Sequence, residues 1–413
     1  MKRGFLLTSR PVVGIIPLVN STNTERPPME PIENVVGLEG EQLDAYTRII
    51  DYLRGDRDSN VLIFTAPGGT GKTFVLRKVV TSPELACKRL AVVAFTGRAA
   101  SQLSDDGISA MTCHALLYTP KLNEHGELVG WVKRDDKEIM EICGDGLIVD
   151  EASMIPYSMH EIFIGLNVPI IYAGDIAQLP PVDPDGGDFN AMSTLESDGG
   201  ILTLTKNYRF DENNGIGFMA NHLRENDTIP RVKKTALFYT RKSAVYTEQF
   251  HADHQYDIVI CGMNKTRKRI NSVIRRARGY SNVMPEIGET VVCLRNSLSS
   301  DGSSISNGEL FVVDGVIPGR DLSVWMLTGE RGGRFVVKVP NETWETELMP
   351  DRYKKSAGIS IFTYGYCVSC HKSQGSTFDD VLFVDEDVSF FLDRQKFRYT
   401  AVSRAAKNLT LAI

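Results

Sequence analysis

Ala66-Pro67-Gly68-Gly69-Thr70-Gly71-Lys72-Thr73 lies between an apolar run at 61–64 and a helix-compatible run at 73–80. Glycines in such a loop let backbone N–H groups turn inward on phosphate oxygens, and the N-terminus of the following helix adds positive potential. In that setting Lys72 reaches toward the β and γ oxygens of a nucleotide, and the Thr73 hydroxyl faces the accompanying Mg2+. Pro67, Gly68, Gly69, Thr70 and Gly71 supply the cradle itself. The loop predicts a bound nucleoside triphosphate, ATP in the simplest case. Its first position, Ala66 in place of glycine, is a mild departure. A merely glycine-rich turn would leave Lys72 without a purpose.

Outward from the loop, apolar strand-like runs at 61–64, 90–95, 147–149 and 168–173 alternate with helical stretches, the first at 41–53. That rhythm predicts an α/β fold with a parallel sheet buried on both faces. A second series, 258–261, 381–384 and 409–413, predicts a second α/β domain. Between its parts, residues 287–355 carry short runs at 291–294, 310–313, 322–327 and 334–339 separated by Gly, Ser, Asp and Asn turns, the pattern of a small β-barrel. Residues 118–137 read as a β-hairpin turning at Glu124-His125-Gly126. Residues 1–34, with Pro11, Pro17, Pro27, Pro28 and Pro31, read as an extension. The expected domains are therefore 35–200 with its hairpin, 201–286 joined with 356–413, and the inserted barrel 287–355.

With 42% hydrophobic and 24% charged residues, the composition is that of an ordinary globular protein. A net charge of −6 supplies no global attraction to nucleic acid, so any such contact needs a local basic lining. The run Asn264-Lys265-Thr266-Arg267-Lys268-Arg269, followed by Arg275, Arg276 and Arg278, is either that lining or a solvated helix face. Seven cysteines from Cys87 to Cys370 fit a reduced protein without disulfides. Cys367-Val368-Ser369-Cys370-His371 has a zinc-like gap but no second pair nearby, so zinc is not expected. Arg10 and Pro11 interrupt the apolar N-terminus, and no stretch approaches the roughly 18 apolar residues of a membrane span. The expectation is a soluble, cytoplasmic protein with no membrane partner.

Two carboxylates, Asp150 and Glu151, end the apolar run 147–149. There Asp150 is suited to hold Mg2+ through water and Glu151 to orient or deprotonate the attacking water. Gln178, in Gly174-Asp175-Ile176-Ala177-Gln178-Leu179-Pro180-Pro181, can bond both a γ-phosphate and the nucleophilic water; alone, Gly-Asp followed by Pro-Pro would be an ordinary turn. Phosphoryl transfer also needs positive charge where negative charge develops, and Arg209 and Arg404 are the two candidates from outside the first domain.

These stretches, in this order, resemble the superfamily 1B helicases, the group of RecD-like and phage Dda-like DNA helicases. Gln42 looks like the adenine-reading glutamine; Phe95 to Ala100 resembles motif Ia, Thr112 to Leu116 motif Ib, Asn207-Tyr208-Arg209 motif IV, His371 to Asp379 motif V and Val402 to Ala405 motif VI. The resemblance implies two RecA-like domains with Mg-ATP between them, a pin-bearing hairpin in the first and an SH3-like barrel in the second. It places Tyr208 against the adenine, or simply packed, and Gly375 at the nucleotide. It assigns grips on single-stranded DNA to Thr96, Arg98, Thr112 and His114 in the first domain and Asn264, Arg267, His371 and Lys372 in the second. The implied substrates are single-stranded DNA and forked or tailed duplex, unwound 5′ to 3′ by a monomer working with replication or recombination proteins. The hairpin near His125 is the expected wedge, with Trp131 or Tyr118 stacking a base or packing beneath it. Gly97-Arg98 and the Phe95 before Thr96 depart from the usual Pro-Thr start of motif Ia, and Ser403 replaces the commoner threonine in motif VI. A translocase or RNA helicase of the same architecture is the alternative, and a phosphate-loop small-molecule kinase a more distant one.

Overall fold

The computed structural model describes residues 37–56, 59–122, 128–181, 189–193, 200–211, 213–330, 332–354, 356, 358–390 and 392–413. The extension at 1–34 and the hairpin turn 123–127, with the expected wedge at His125, lie outside the described residues.

Six parallel strands form the first sheet, in the spatial order Ala110–Thr112, Leu90–Ala94, Gly146–Asp150, Ile170–Gly174, Val61–Thr65 and Ile201–Thr203. Alternate side chains serve two cores, because neighbouring residues of a strand point to opposite faces. Leu62, Phe64, Val92, Ala94 and Ile148 meet helices Glu41–Arg54, Lys72–Val80 and Gly97–Asp105. Ile63, Val93, Leu147, Val149 and Tyr172 meet Cys113–Leu117, Asp136–Cys143 and Tyr157–Gly165. The carboxyl ends of the strands deliver the phosphate loop, Thr96, Glu151 and Asp175 to one edge, where open α/β sheets bind ligands.

A second parallel sheet runs Cys367–Ser369, Ile258–Cys261, Phe378–Val384, Ala405–Ala412 and Leu237–Thr240. Helices Gly215–Glu225 and Arg394–Val402 cover one face, and Glu248–Asp253 and Asn264–Ala277 the other. The buried Glu386 carboxylate accepts the N–H groups of Gly262 (2.7 Å) and Met263 (3.0 Å), satisfying donors at the start of helix Asn264–Ala277.

The third unit is an antiparallel sheet of Arg334–Pro340, Leu322–Gly329, Leu310–Ile317, Thr290–Cys293 and Phe362–Tyr364. The segment leading into its last strand meets its first strand at one point, where the Ser360 N–H donates to the Lys338 carbonyl at 2.9 Å. Strands Tyr118–Leu122 and Leu128–Lys133 form a separate antiparallel pair.

Two expected boundaries move. Ile201–Thr203 pairs with Val61–Thr65 in the first sheet, beyond the limit expected at residue 200. Phe362–Tyr364 pairs with Thr290–Cys293, so the inserted sheet passes the limit expected at residue 355. Both are three-residue strands, too short to show a period of two, and both are held by distant partners.

The basic helix is mostly internal wiring. Arg275 grips Glu289 with two bonds, 2.8 and 2.9 Å, and its guanidinium lies 4.1 Å from the centre of the Tyr364 ring. Arg276 pairs with Glu248 at 2.6 Å, while Arg278 and Arg269 sit over Tyr366 and Tyr246. Among the described residues no helix is long and apolar enough to cross a membrane. All seven cysteines are free thiols.

Glu289 is fully buried, so removing its carboxylate strands the Arg275 charge. Glu289→Ala should lower stability by about 3–5 kcal/mol, read as a shift of the urea midpoint; a midpoint within error of the parent would show that the pair does not anchor the inserted sheet.

Candidate active site

A cavity of about 550 Å³ opens between the two parallel-sheet units. The phosphate loop, Gln42, Asp150, Glu151 and Gln178 line it from one side, and Arg404 and Gly375 from the other. Tyr208 and Arg209, on the connecting segment, complete the wall. Gly69 and Gly71 have φ of 88° and 90°, a region that favours glycine, so the loop can curl its N–H groups inward. The Gln42 amide donates to the Thr70 carbonyl at 2.9 Å, fixing the loop from helix Glu41–Arg54. From the other side Asn207 Nδ2 donates to the Gly68 carbonyl (2.9 Å) and the Tyr208 N–H to that of Gly69 (2.8 Å). Tyr208 is 52% exposed, a ring at the cavity mouth and not a packed core residue.

The Lys72 ammonium bonds Asp150 and lies 3.4 Å from Glu151 Oε1. Burial pushes Lys72 toward neutrality, but the two carboxylates outweigh it and hold the ammonium above its ordinary range. Burial lifts Asp150, although Lys72 opposes it. Glu151 is held below the usual range because Lys72, and then Arg404, overcome its burial. Glu151 itself has φ of 53°, a left-handed conformation that costs a non-glycine residue about 1–2 kcal/mol. Among the described residues, Glu151 Oε2 and Gln178 Oε1 are buried without a hydrogen-bond partner. Two orphaned acceptors in one cavity fit a water and hydrated cation brought with a nucleotide. No group of three or more His, Cys, Asp or Glu side chains among the described residues can hold a metal by itself.

Arg404 is buried and held by the Thr400 carbonyl (3.1 Å), the Ser376 carbonyl (3.2 Å) and the Ser403 hydroxyl (2.9 Å). Burial, and then the like charge of Arg404, hold Arg209 below its ordinary range. Two guanidinium groups thus face one cavity.

The residues expected to grip DNA divide into several situations. Thr96 and Thr112 cap helices, accepting from the Ala99 (3.1 Å) and Ala115 (3.0 Å) N–H groups. His114 stacks on Tyr118 at 4.6 Å and meets Trp131 edge-on at 4.6 Å, its basicity lowered by burial. Lys372 donates to Asn307 at 2.6 Å, and burial lowers both Lys372 and His371. Arg98 pairs with Glu330 at 2.8 Å. Arg267 departs from the expectation. It is 3% exposed, ion-paired with Glu347 and bonded to Asn264 Oδ1 at 3.1 Å, so it ties its helix to the inserted sheet and presents no surface to a ligand.

The expectation also passed over Asp175, taken as an ordinary turn. Asp175 accepts from Arg224 at 2.8 Å and from the Tyr399 hydroxyl, 49 and 224 residues along the chain. Thr400 and Gln374 join the same seam, bonding the Leu179 N–H (2.9 Å) and carbonyl (2.8 Å). The available signal was a carboxylate directly after a buried strand, which needs a partner that local sequence does not name.

Residues 37–247 match the family model described as AAA domain, and residues 364–412 that of the UvrD-like helicase C-terminal domain. The chain is an AAA-domain protein of the superfamily 1B helicases. This helicase is 22% identical to the RecBCD enzyme subunit RecD of Buchnera aphidicola subsp. Schizaphis graminum, over 86% of its own length and 70% of that protein's. It is 25% identical to the ATP-dependent RecD2 DNA helicase of Deinococcus radiodurans, again over 86% of the chain but spanning 47% of the relative. The ATP-dependent DNA helicase Pif1 of Bdellovibrio bacteriovorus is 23% identical, covering 80% of this chain and 79% of that one. The fold is shared with the Bacteroides Pif1 helicase solved with ADP-AlF3 and ssDNA, at a TM-score of 0.56 and 19% identity, covering 89% and 91% of the two chains. Pif1 helicase from Candida albicans aligns at a TM-score of 0.54 and 18% identity, covering 92% and 94%.

A Cβ at Gly69 would fall 2.7 Å from the Arg209 Cβ. Gly69→Ala should therefore cost about 1–3 kcal/mol in local strain and displace the 207–209 segment, weakening nucleotide affinity in a titration with a fluorescent ATP analogue. Undiminished affinity would separate that segment from the site.

Proposed function

We propose that this chain is an ATP-dependent DNA helicase that moves 5′ to 3′ along single-stranded DNA and separates the duplex ahead of it. The observation that carries the reading is the composition of one cavity, in which Lys72, Asp150, Glu151 and Gln178 of the first lobe face Arg404 of the second. A nucleotide site shared between lobes makes cleft closure depend on the presence of the γ-phosphate, and hydrolysis then releases it. The RecD2 and Pif1 relatives are named DNA helicases, and a Bacteroides Pif1 structure contains ssDNA. The direction of travel rests on that kinship.

On nucleotide entry Lys72 exchanges its two carboxylates for phosphate oxygens. That exchange leaves Asp150 and Thr73 to hold Mg2+, which would neutralise developing phosphoryl charge when bound. Glu151 and Gln178 orient the attacking water through their unpaired oxygens, while Arg209 and Arg404 stabilise charge on the transferring group. Tyr208 offers its exposed ring to the base and Gln42 fixes the loop beside it. Thr96, Thr112 and His114 on one lobe, with Asn264, His371 and Lys372 on the other, form the track for the sugar–phosphate backbone, which positions without reading sequence. The inserted antiparallel sheet is read as an SH3-like barrel and the 118–133 hairpin as the separating pin, within a protein that works as a monomer.

Unwinding of 5′-tailed against 3′-tailed duplexes, with ATPase measured on ssDNA and on RNA, tests the proposal. Activity confined to the 5′-tailed DNA is expected, and Lys72→Ala should lose ATPase and unwinding together while still binding ssDNA. Preference for the 3′ tail would refute the polarity, stimulation by RNA alone would move the substrate class, and wild-type hydrolysis by Lys72→Ala would remove the motor.

A further inference from the structure

Within the proposed helicase reading, we infer that Asp175 is the positioning residue that seats Arg404 in the nucleotide cavity, acting through Tyr399 each time the lobes close. Asp175 follows strand Ile170–Gly174 and is 2% exposed. Its Oδ1 accepts from Arg224 Nη1 at 2.8 Å and from the Ala177 N–H at 3.2 Å, and its Oδ2 accepts from the Tyr399 hydroxyl. Arg224 also donates to the Tyr399 oxygen at 3.1 Å, and its guanidinium lies 5.6 Å from the centre of that ring. Burial, reinforced by Asp175, keeps Tyr399 protonated and therefore a donor.

Asp175 belongs to the first lobe, whereas Arg224 sits on helix Gly215–Glu225 and Tyr399 on Arg394–Val402 of the second. On its own side the carboxylate shapes the turn that carries Gln178, whose N–H donates to the Asp175 carbonyl at 3.0 Å. On the far side the next residue, Thr400, takes the Leu179 N–H on its hydroxyl (2.9 Å) and Arg404 Nε on its carbonyl (3.1 Å). A continuous series of bonds therefore joins the turn of Gln178 to the guanidinium of Arg404, with Asp175 and Tyr399 at the crossing between lobes. A buried carboxylate needs its cation and donor together. Arg224 and Tyr399 meet that need at once when the cleft shuts, and when it opens water must replace both. The network thus has two discrete arrangements, and only the closed one holds helix Arg394–Val402 at the depth that places Arg404 in the cavity.

A residue that merely glued the lobes would lower stability or nucleotide affinity, whereas one that seats Arg404 must act through Arg404. Steady-state ATPase of the full chain with saturating ssDNA is measured for Tyr399→Phe, which removes one oxygen, for Asp175→Asn, for Arg404→Ala and for both double variants with Arg404→Ala. Each single change at 175 or 399 should lower kcat on the order of tenfold, part of the roughly 10³–10⁵ that such an arginine supplies, with KM for ATP within about threefold of the parent. In the Arg404→Ala background neither change should lower kcat further. Losses that multiply in the double variants, or a rise in KM with kcat intact, would overturn the inference while leaving the helicase reading standing. A parent chain with no ssDNA-stimulated ATPase would overturn both.

Discussion

Charge brought into one buried cleft is the constraint that organises this molecule. Lys72, Asp150, Glu151 and Arg404 converge on one cavity with little water to screen them, and each is tolerable only because the others are present. Arg209 and Arg404 repel across the cavity, and two acceptor oxygens, on Glu151 and Gln178, remain unpaired among the described residues. A bound polyphosphate would relieve both, giving the guanidinium groups an anion and Lys72 an alternative to Asp150. Preorganisation of this kind has an energetic cost in the empty state and returns it where negative charge accumulates. The left-handed backbone at Glu151 belongs to the same pattern, strain held in place by a fully packed strand beneath it.

The parts legible in the sequence were those whose physics is local. A glycine loop, a buried strand ended by carboxylates and alternating apolar runs are each written within a few residues, and the first sheet follows from them. Three features escaped because distant contacts define them. Ile201–Thr203 and Phe362–Tyr364 are strands only by virtue of Val61–Thr65 and Thr290–Cys293. Asp175 resembles a turn residue until Arg224 and Tyr399 arrive from the other lobe. Arg267 shows the opposite error, since a basic run states charge but not direction, and the partner that buries it, Glu347, lies 80 residues away.

The contacts of the inserted sheet differ enough in strength to say which lobe it follows. Toward the second lobe it is fixed by the buried pairs Arg275–Glu289 and Arg267–Glu347, with the Tyr366 hydroxyl donating to Glu289 at 3.1 Å. Breaking such a buried pair costs about 3–5 kcal/mol. Toward the first lobe it reaches Arg98 through Glu330, side chains 21% and 37% exposed, and places Ser306 against Gly97. An exposed pair of that kind contributes about 0–1 kcal/mol, so these ion pairs tie the sheet more strongly to the second lobe than to the first. Gly97 now has a steric reason, since a Cβ there would run into Ser306. The same magnitudes separate the two arginines named from the sequence. Arg98 pairs with a partly exposed Glu330 beside the Phe378 ring, whereas Arg267 is itself buried against a half-buried Glu347. Arg267 instead holds from beneath the helix that carries Asn264.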